Sequence, residues 1–166
     1  MLTVTRATPD QVPLVYELVN DAARRLVAQN VDQWPHPYPE HIVRRSFDRT
    51  YVAWQGDQPV GSLAIYWDDP TFWGEQPPDA GYVHRLVVAH HARGAGLGAR
   101  MLDWAGEHIA GHGRPWVRLD CGAVNAPLRA FYEREGFKHV RDVEVGVRGA
   151  GAGDVWRASL YQRPSV

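Results

Sequence analysis

HHARGAGLGARMLDW, residues 90–104, leaves an apolar run, LVVA (86–89), and opens a helical pattern. Gly94, Gly96 and Gly98 alternate within it. A helix start presents backbone N–H groups without internal partners and about half a positive charge. Glycines permit positive φ and let a ligand come against the backbone. Together these features predict an anion site, commonly for a pyrophosphate. The plain alternative is a tight strand-to-helix turn with no ligand. Three alternating glycines after a buried strand argue against it.

Three phosphate loops compete for this stretch. A triphosphate loop needs GxxxxGK[ST], and no Lys follows Gly98. The dinucleotide pattern GxGxxG/A matches Gly94, Gly96 and Ala99, and Asp120 stands about where a ribose-binding acid would lie. That loop leaves its strand almost directly, however, and here HHAR intervenes. Its fold also needs repeated βαβ units, whereas the upstream region reads as a hairpin. The third loop fits best. LVVAHHARGAGLGARML resembles the acetyl-CoA loop of the GNAT superfamily of N-acetyltransferases, an apolar strand followed by [QR]xxGxG[GA] at a helix start. Arg93, Gly96, Leu97 and Gly98 fall on that pattern. A second stretch, NAPLRAFYEREGF (125–137), resembles the same family's NxxxxxxYxxxGF helix.

The resemblance implies an α/β fold, a mixed sheet flanked by helices and splayed between its fourth and fifth strands, with a pantetheine arm in the splay. It assigns the pyrophosphate of acetyl-CoA to the N–H groups of Arg93, Gly94, Ala95, Gly96, Leu97, Gly98 and Ala99. It assigns the pantetheine amides to the main chain of Leu86, Val87 and Val88. Asn125 and Tyr132 lie two helical turns apart and so project to nearly the same side. By resemblance, Tyr132 donates to the sulfur as the thiolate leaves, and Asn125 joins it at the cofactor. The plain readings are an N-cap for Asn125 and a helix-anchoring aromatic for Tyr132.

The remaining sequence agrees with such a domain. One domain suits 166 residues, and 45 % hydrophobic with 22 % charged residues is ordinary for a globular chain. A net charge of −1 with no basic stripe argues against nucleic acid. No apolar run approaches the ~20 residues of a membrane span, and MLTVTRATPDQ lacks a signal-peptide pattern. The expected location is the cytoplasm. Cys121 is the one cysteine, so no internal disulfide forms.

Periodicity predicts the order βααβββαβαββ in a single domain over 1–166. LTVTRA (2–7) alternates as a strand, and a helix follows from Pro9 to about Asn30 with Leu14, Leu18, Ala22, Leu26 and Val27 on one face. The proline-rich 31–39 is a loop, and a short helix covers 40–47. Strands at 50–55 and 59–67 form a hairpin around Gly56-Asp57. Residues 67–81 make a long polar and aromatic loop. The strand 81–89 is apolar enough at its C-terminal half to be buried on both faces. A helix runs from Leu97 to about Ala110, with Met101, Leu102, Ala105 and Ile109 on one side. Residues 116–123 form a strand. Asn125 suits an N-cap and Gly136 a C′ position around the next helix. Strands at 139–145 and 155–161 close the fold around RGAGAG (148–153).

An amine acceptor, on a small molecule or a peptide, is the expected substrate. Such an amine is mostly protonated at neutral pH, so a base must free it. His84 is the candidate, since histidine titrates in the right range. Strict alternation puts Tyr82, His84 and Leu86 on one face. Cys121 reads as a buried, inert thiol. Asp68, Asp69, Glu75 and Asp79 lie in the loop that the resemblance places at the acceptor pocket. No metal set is expected: His108 and His112 lack a third ligand. A homodimer is compatible with the resemblance. A CoA-binding module without catalysis and a dinucleotide-dependent oxidoreductase are the competing readings.

Overall fold

The computed structural model describes residues 1–146 and 155–166, so the RGAGAG tip lies outside the described residues. Seven strands form one mixed sheet in the order β1-β2-β3-β4-β5-β7-β6. The strands are β1 (Leu2–Arg6), β2 (Thr50–Gln55), β3 (Gln58–Tyr66), β4 (Ala80–Val88), β5 (Trp116–Gly122), β6 (Lys138–Gly146) and β7 (Val155–Pro164). The helices are α1 (Val12–Ala28), α2 (Glu40–Arg45), α3 (Pro70–Trp73), α4 (Leu97–Gly111) and α5 (Ala126–Arg134). The predicted order holds, with α3 added. That single turn falls in the segment read as loop, and it buries Trp73 beneath Tyr82 and Leu160.

The sheet is covered on both faces. Met101, Leu102, Ala105 and Ile109 of α4 are fully buried against Leu63, Val83 and Val117. Each large side chain buried in this way contributes about 1.5–3 kcal/mol. On the opposite face α1 packs against Val52 and Val87. Its buried stripe is Val12, Val15, Val19 and Ala23 rather than the predicted one. Leu14 and Leu18 instead border an open pocket between α1 and the turn at 90–91, and Val27 is exposed. The largest apolar side chains of an amphipathic helix mark its inward half, but small Val and Ala carry the closest approach to a sheet.

All neighbours pair antiparallel except β4 and β5, which are parallel. Their ladder contains only Ala80–Tyr82 against Trp116–Arg118. Beyond it β5 keeps β7 as partner up to Gly122, and β4 keeps β3 up to Val88. The sheet is therefore split between β4 and β5 at the C-terminal ends of both strands, as a splayed fold requires.

Two features hold the fork. Arg118 is buried at its base and donates to Tyr82 Oη (3.0 Å), Asp79 Oδ1 (3.2 Å) and Gln162 Oε1 (3.1 Å), with its guanidinium over the Trp73 ring. Just above, the β3–β4 register shifts between Ser62 and Ala64, and Arg85 takes a left-handed φ of 51°. This is a bulge, and bulges bend and twist a strand. It also swaps the faces of β4. Gly81 and Val83 meet α4 below it, and Leu86 and Val88 join the α4 side above it. Leu86 therefore does not share a face with Tyr82 and His84, because the extra residue breaks the alternation.

Candidate active site

The glycine loop is a short 3₁₀ turn, His90–Ala92, followed by an extended Arg93 and an α4 start capped by Gly96 in the left-handed region. Gly94 and Gly96 have φ of 85° and 70°, where a side chain is strained. Gly98 serves packing instead. A Cβ there would stand 3.2 Å from Phe131 Cζ, so its absence lets α5 lie against the first turn of α4.

The N–H groups of this loop divide sharply. Arg93 donates to His90 O (3.3 Å), and Arg100 donates to Gly96 O (3.2 Å). Among the described residues, none of the N–H groups from Gly94 to Ala99 has a protein acceptor. The run offered to a ligand thus starts one residue later than the sequence predicts, because the 3₁₀ turn uses the Arg93 donor.

The open edge of β4 begins where the ladder to β5 stops. Ala89 donates to Val60 O (2.8 Å), which makes Ala89 and Val60 a hydrogen-bonded pair. Alternation then turns the main-chain groups of Val87 toward β3 and those of Leu86 and Val88 toward the gap. Of the three residues expected to meet pantetheine amides, Leu86 and Val88 turn main-chain groups toward the gap, and the Val88 carbonyl already has a donor from α1. Arg25 Nη2 of α1 reaches Val88 O at 3.3 Å.

Tyr132 of α5 lies beside Cys121 and Asp120 at the end of β5. It is buried against Phe131, Phe137 and Tyr161, and its hydroxyl has no hydrogen-bond partner among the described residues. Burial raises its pKa, and the neighbouring Cys121 and Asp120 raise it further. The hydroxyl therefore stays a donor at neutral pH. Asn125 caps α5 through Leu128 N (3.3 Å), and its Nδ2 donates to Gln33 Oε1 (3.1 Å). Gln33 Oε1 also receives Gly122 N (2.9 Å). The proline-rich loop is thus fastened over the end of β5 by a residue that no sequence pattern marked.

His84 lies at the floor of the gap. Its Nε2 is 3.0 Å from Asp69 Oδ2, and the Tyr66 ring is 4.7 Å from the imidazole. The approach to Asp69 is an ion-pair contact outside hydrogen-bond geometry, so the buried Oδ2 is left without a donor. Asp120 of β5 completes the group: one donor atom each of Asp69, His84 and Asp120 lies within 4.8 Å of the other two. Burial raises the Asp120 pKa to about 6, with His84 opposing and Asp69 reinforcing the rise. The sequence marks Asp69 only as one of several loop acids, and it singles out Asp120 only as the ribose-binding acid of the competing dinucleotide reading.

The other candidates fall away from the gap. Cys121 is buried and burial pushes its thiol up to about 12. His108 and His112 stack among Trp104, Trp67 and Tyr51 on α4. Of the two irregular segments, Trp73 is core and Trp34 packs on Tyr38. No helix among the described residues is long and apolar enough to cross a membrane.

Comparison with known proteins agrees with this geometry. The profile of the Acetyltransferase (GNAT) family matches residues 14–137. An uncharacterized N-acetyltransferase of Bacillus subtilis, YesJ, is 41 % identical over 106 residues, covering 59 % of this chain and 58 % of its own length. The match thus spans less than two thirds of that relative. A GNAT-family acetyltransferase structure from Listeria monocytogenes superposes with a TM-score of 0.77 at 24 % identity, over 98 % of this chain and 94 % of its own. The fold is shared with yncA of Salmonella typhimurium, a putative acetyltransferase solved with acetyl-CoA, at TM-score 0.70 and 14 % identity, over 100 % and 95 % of the two chains. With the matched profile spanning both glycine loop and Tyr132 helix, the chain belongs to the GNAT acetyltransferase family.

Proposed function

We propose that this chain is an acetyl-CoA-dependent N-acetyltransferase that passes an acetyl group directly to a primary amine of a small molecule or peptide. One observation carries the reading: the partnerless N–H run from Gly94 to Ala99 opens beside the unpaired edge of β4. The first feature suits a diphosphate, and the second suits a chain carrying two amides. The acetyl-CoA held by the Salmonella relative supports the same ligand here.

Acetyl-CoA supplies an activated acetyl thioester when bound. The residues around the gap supply the rest. Gly94 to Ala99 hold the diphosphate, and Leu86 and Val88 align the arm by main-chain pairing. Tyr132 donates a hydrogen bond to sulfur as the thiolate forms, an effect of general acids worth ~10²–10⁴-fold. His84, beside Asp69 and Tyr66, receives a proton from the acceptor amine. With Cys121 held as a neutral thiol, no acetyl-enzyme is required.

Calorimetry with acetyl-CoA and thiol release with a panel of primary amines test the reading. Binding followed by amine-dependent thiol release supports it. Tight binding without release for any amine makes the chain a CoA-binding module, and absence of binding removes the ligand altogether.

A further inference from the structure

Two carboxylates and one imidazole cluster at the β4–β5 seam, within 4.8 Å of one another. Asp69 comes from the β3–α3 loop, His84 from β4 and Asp120 from β5. The nearby arginines are committed elsewhere. Arg118 is spent on Asp79, Tyr82 and Gln162, and Arg85 donates to Ser46 Oγ (2.7 Å) and Tyr66 Oη (3.2 Å). One oxygen of Asp69 is buried without a donor, and a carboxylate oxygen of Asp120 stands within 4.8 Å of both Asp69 and His84. Buried carboxylates need a cationic partner or a proton. The Tyr66 ring packs edge-on against His84 and itself carries Arg49 and Arg85, so it fixes the imidazole and keeps those two guanidinium groups to itself.

We infer that the acceptor enters as an ammonium ion held between Asp120 and His84, that these two groups take its first proton, and that Asp69 is a positioning residue for His84. The inference rests on the acetyltransferase reading and names the proton path within it. The acceptor R–NH3⁺ gives one proton to the Asp120–His84 pair and becomes R–NH2. Its nitrogen bonds the thioester carbonyl carbon, and the C–S bond breaks. The nitrogen sheds a second proton, which ends on the CoA sulfur with Tyr132 bridging. The first proton leaves to solvent with the product. Acetyl-CoA and R–NH3⁺ thus give the amide, CoASH and H⁺.

The pH dependence follows from the groups facing Asp120. These are His84 on β4, Asp69 on the loop, and Cys121 and Tyr132 behind it. Tyr66 of β3 packs against the imidazole. Asp120 is ionised above about 6, so kcat/KM rises with pH through that value. Removing the Asp69 charge lowers the Asp120 pKa and moves this limb to lower pH. Removing His84 raises it and moves the limb up. Opposite shifts from two neighbours are a signature that mere loss of structure does not produce.

The test uses thiol release from acetyl-CoA with n-butylamine and with 2,2,2-trifluoroethylamine, an amine that is neutral at pH 7. Asp120→Asn is expected to lose ~10²-fold in kcat/KM with the first and its acid limb near 6, and far less with the second. Asp69→Asn shifts the limb down, and acetyl-CoA affinity stays unchanged in both variants. Equal losses for the two amines, or an Asp120→Asn enzyme with wild-type rate and limb, overturn the inference. Should the wild type acetylate neither amine, the carboxyl of Asp120 is followed by ¹³C NMR with acetyl-CoA bound. Titration near 6 with an upward move in His84→Gln supports the coupled pair, whereas titration in the ordinary carboxylate range defeats it. Failure of the acetyltransferase reading shows separately, as absence of acetyl-CoA binding or of thiol release with every amine.

Discussion

The lower and upper halves of the β4–β5 seam are built from one pair of strands and behave as opposites. Below, Ala80–Tyr82 pairs with Trp116–Arg118, and Arg118 ties the strands together from a buried position. Above, the same strands run on without each other, and a bulge at Arg85 turns β4 away. The closed half satisfies the Arg118 guanidinium from three side chains and leaves only the Trp73 Nε1 among its described buried side-chain polar atoms without a partner. The open half turns main-chain groups of Leu86 and Val88 away from β3 and leaves the Asp69 Oδ2 oxygen without a donor. Buried polar groups in folded proteins are nearly always paired, and the open half is where the proposed acetyl-CoA arm would supply partners. Mutations in the open half should therefore cost function with little stability, and those in the closed half the reverse.

The largest effect is expected at Tyr132. Tyr132→Phe keeps the ring among Phe131, Phe137 and Tyr161 and removes only the hydroxyl. Turnover should fall ~10²-fold or more while acetyl-CoA affinity by calorimetry holds. Full turnover with a verified acceptor would take Tyr132 out of the reaction. Gly96→Val comes next. A β-branched residue at φ 70° costs about 1–3 kcal/mol and tilts the neighbouring N–H groups. Acetyl-CoA binding should weaken at least ~10-fold with the fold intact by circular dichroism; normal affinity contradicts the diphosphate assignment.

The closed half is probed by Arg118→Met. It keeps much of the volume over Trp73 but strands Tyr82 Oη and Gln162 Oε1. Charged hydrogen bonds contribute about 1.5–3 kcal/mol, so Tm should drop by roughly 3–10 °C. Acetyl-CoA affinity measured well below that Tm should be nearly unchanged. A variant of normal Tm that fails to bind would show that the fork, not the edge above it, defines the site.

Local patterns made much of this legible. The 3.6-residue stripe of α4 is buried as read, and Asn125 and Gly136 bound α5 through a side-chain cap and a φ of 85°. The glycine loop joins β4 to the start of α4, as read. The missing parts are non-local. Hydrophobicity predicts the C-terminal half of β4 buried on both faces, yet that half is the less buried one, because the strand beside it has split away. Arg85 adopts a glycine-like φ with nothing in its chemistry to announce it, and the face of Leu86 changes with it. Asp69 and Gln33 reach the site from loops, where spacing carries no period to read. Asp120 matters because of what stands across the split from it.

Cys121 gives the smallest expected effect and bears on how the open half works. It sits on β5 between Asp120 and Gly122, next to Tyr132, where a thiol could intercept the acetyl group. A nucleophilic cysteine needs thiolate character, usually from a nearby cation or helix start. Burial and the Asp120 charge act in the other direction, raising the thiol to about 12. A neutral, fully buried thiol behaves as a small apolar side chain. Cys121→Ala should therefore keep turnover within about threefold, and native protein should resist iodoacetamide at neutral pH. Loss of turnover together with an acetylated wild-type enzyme on rapid quench would replace direct transfer by a two-step route through β5.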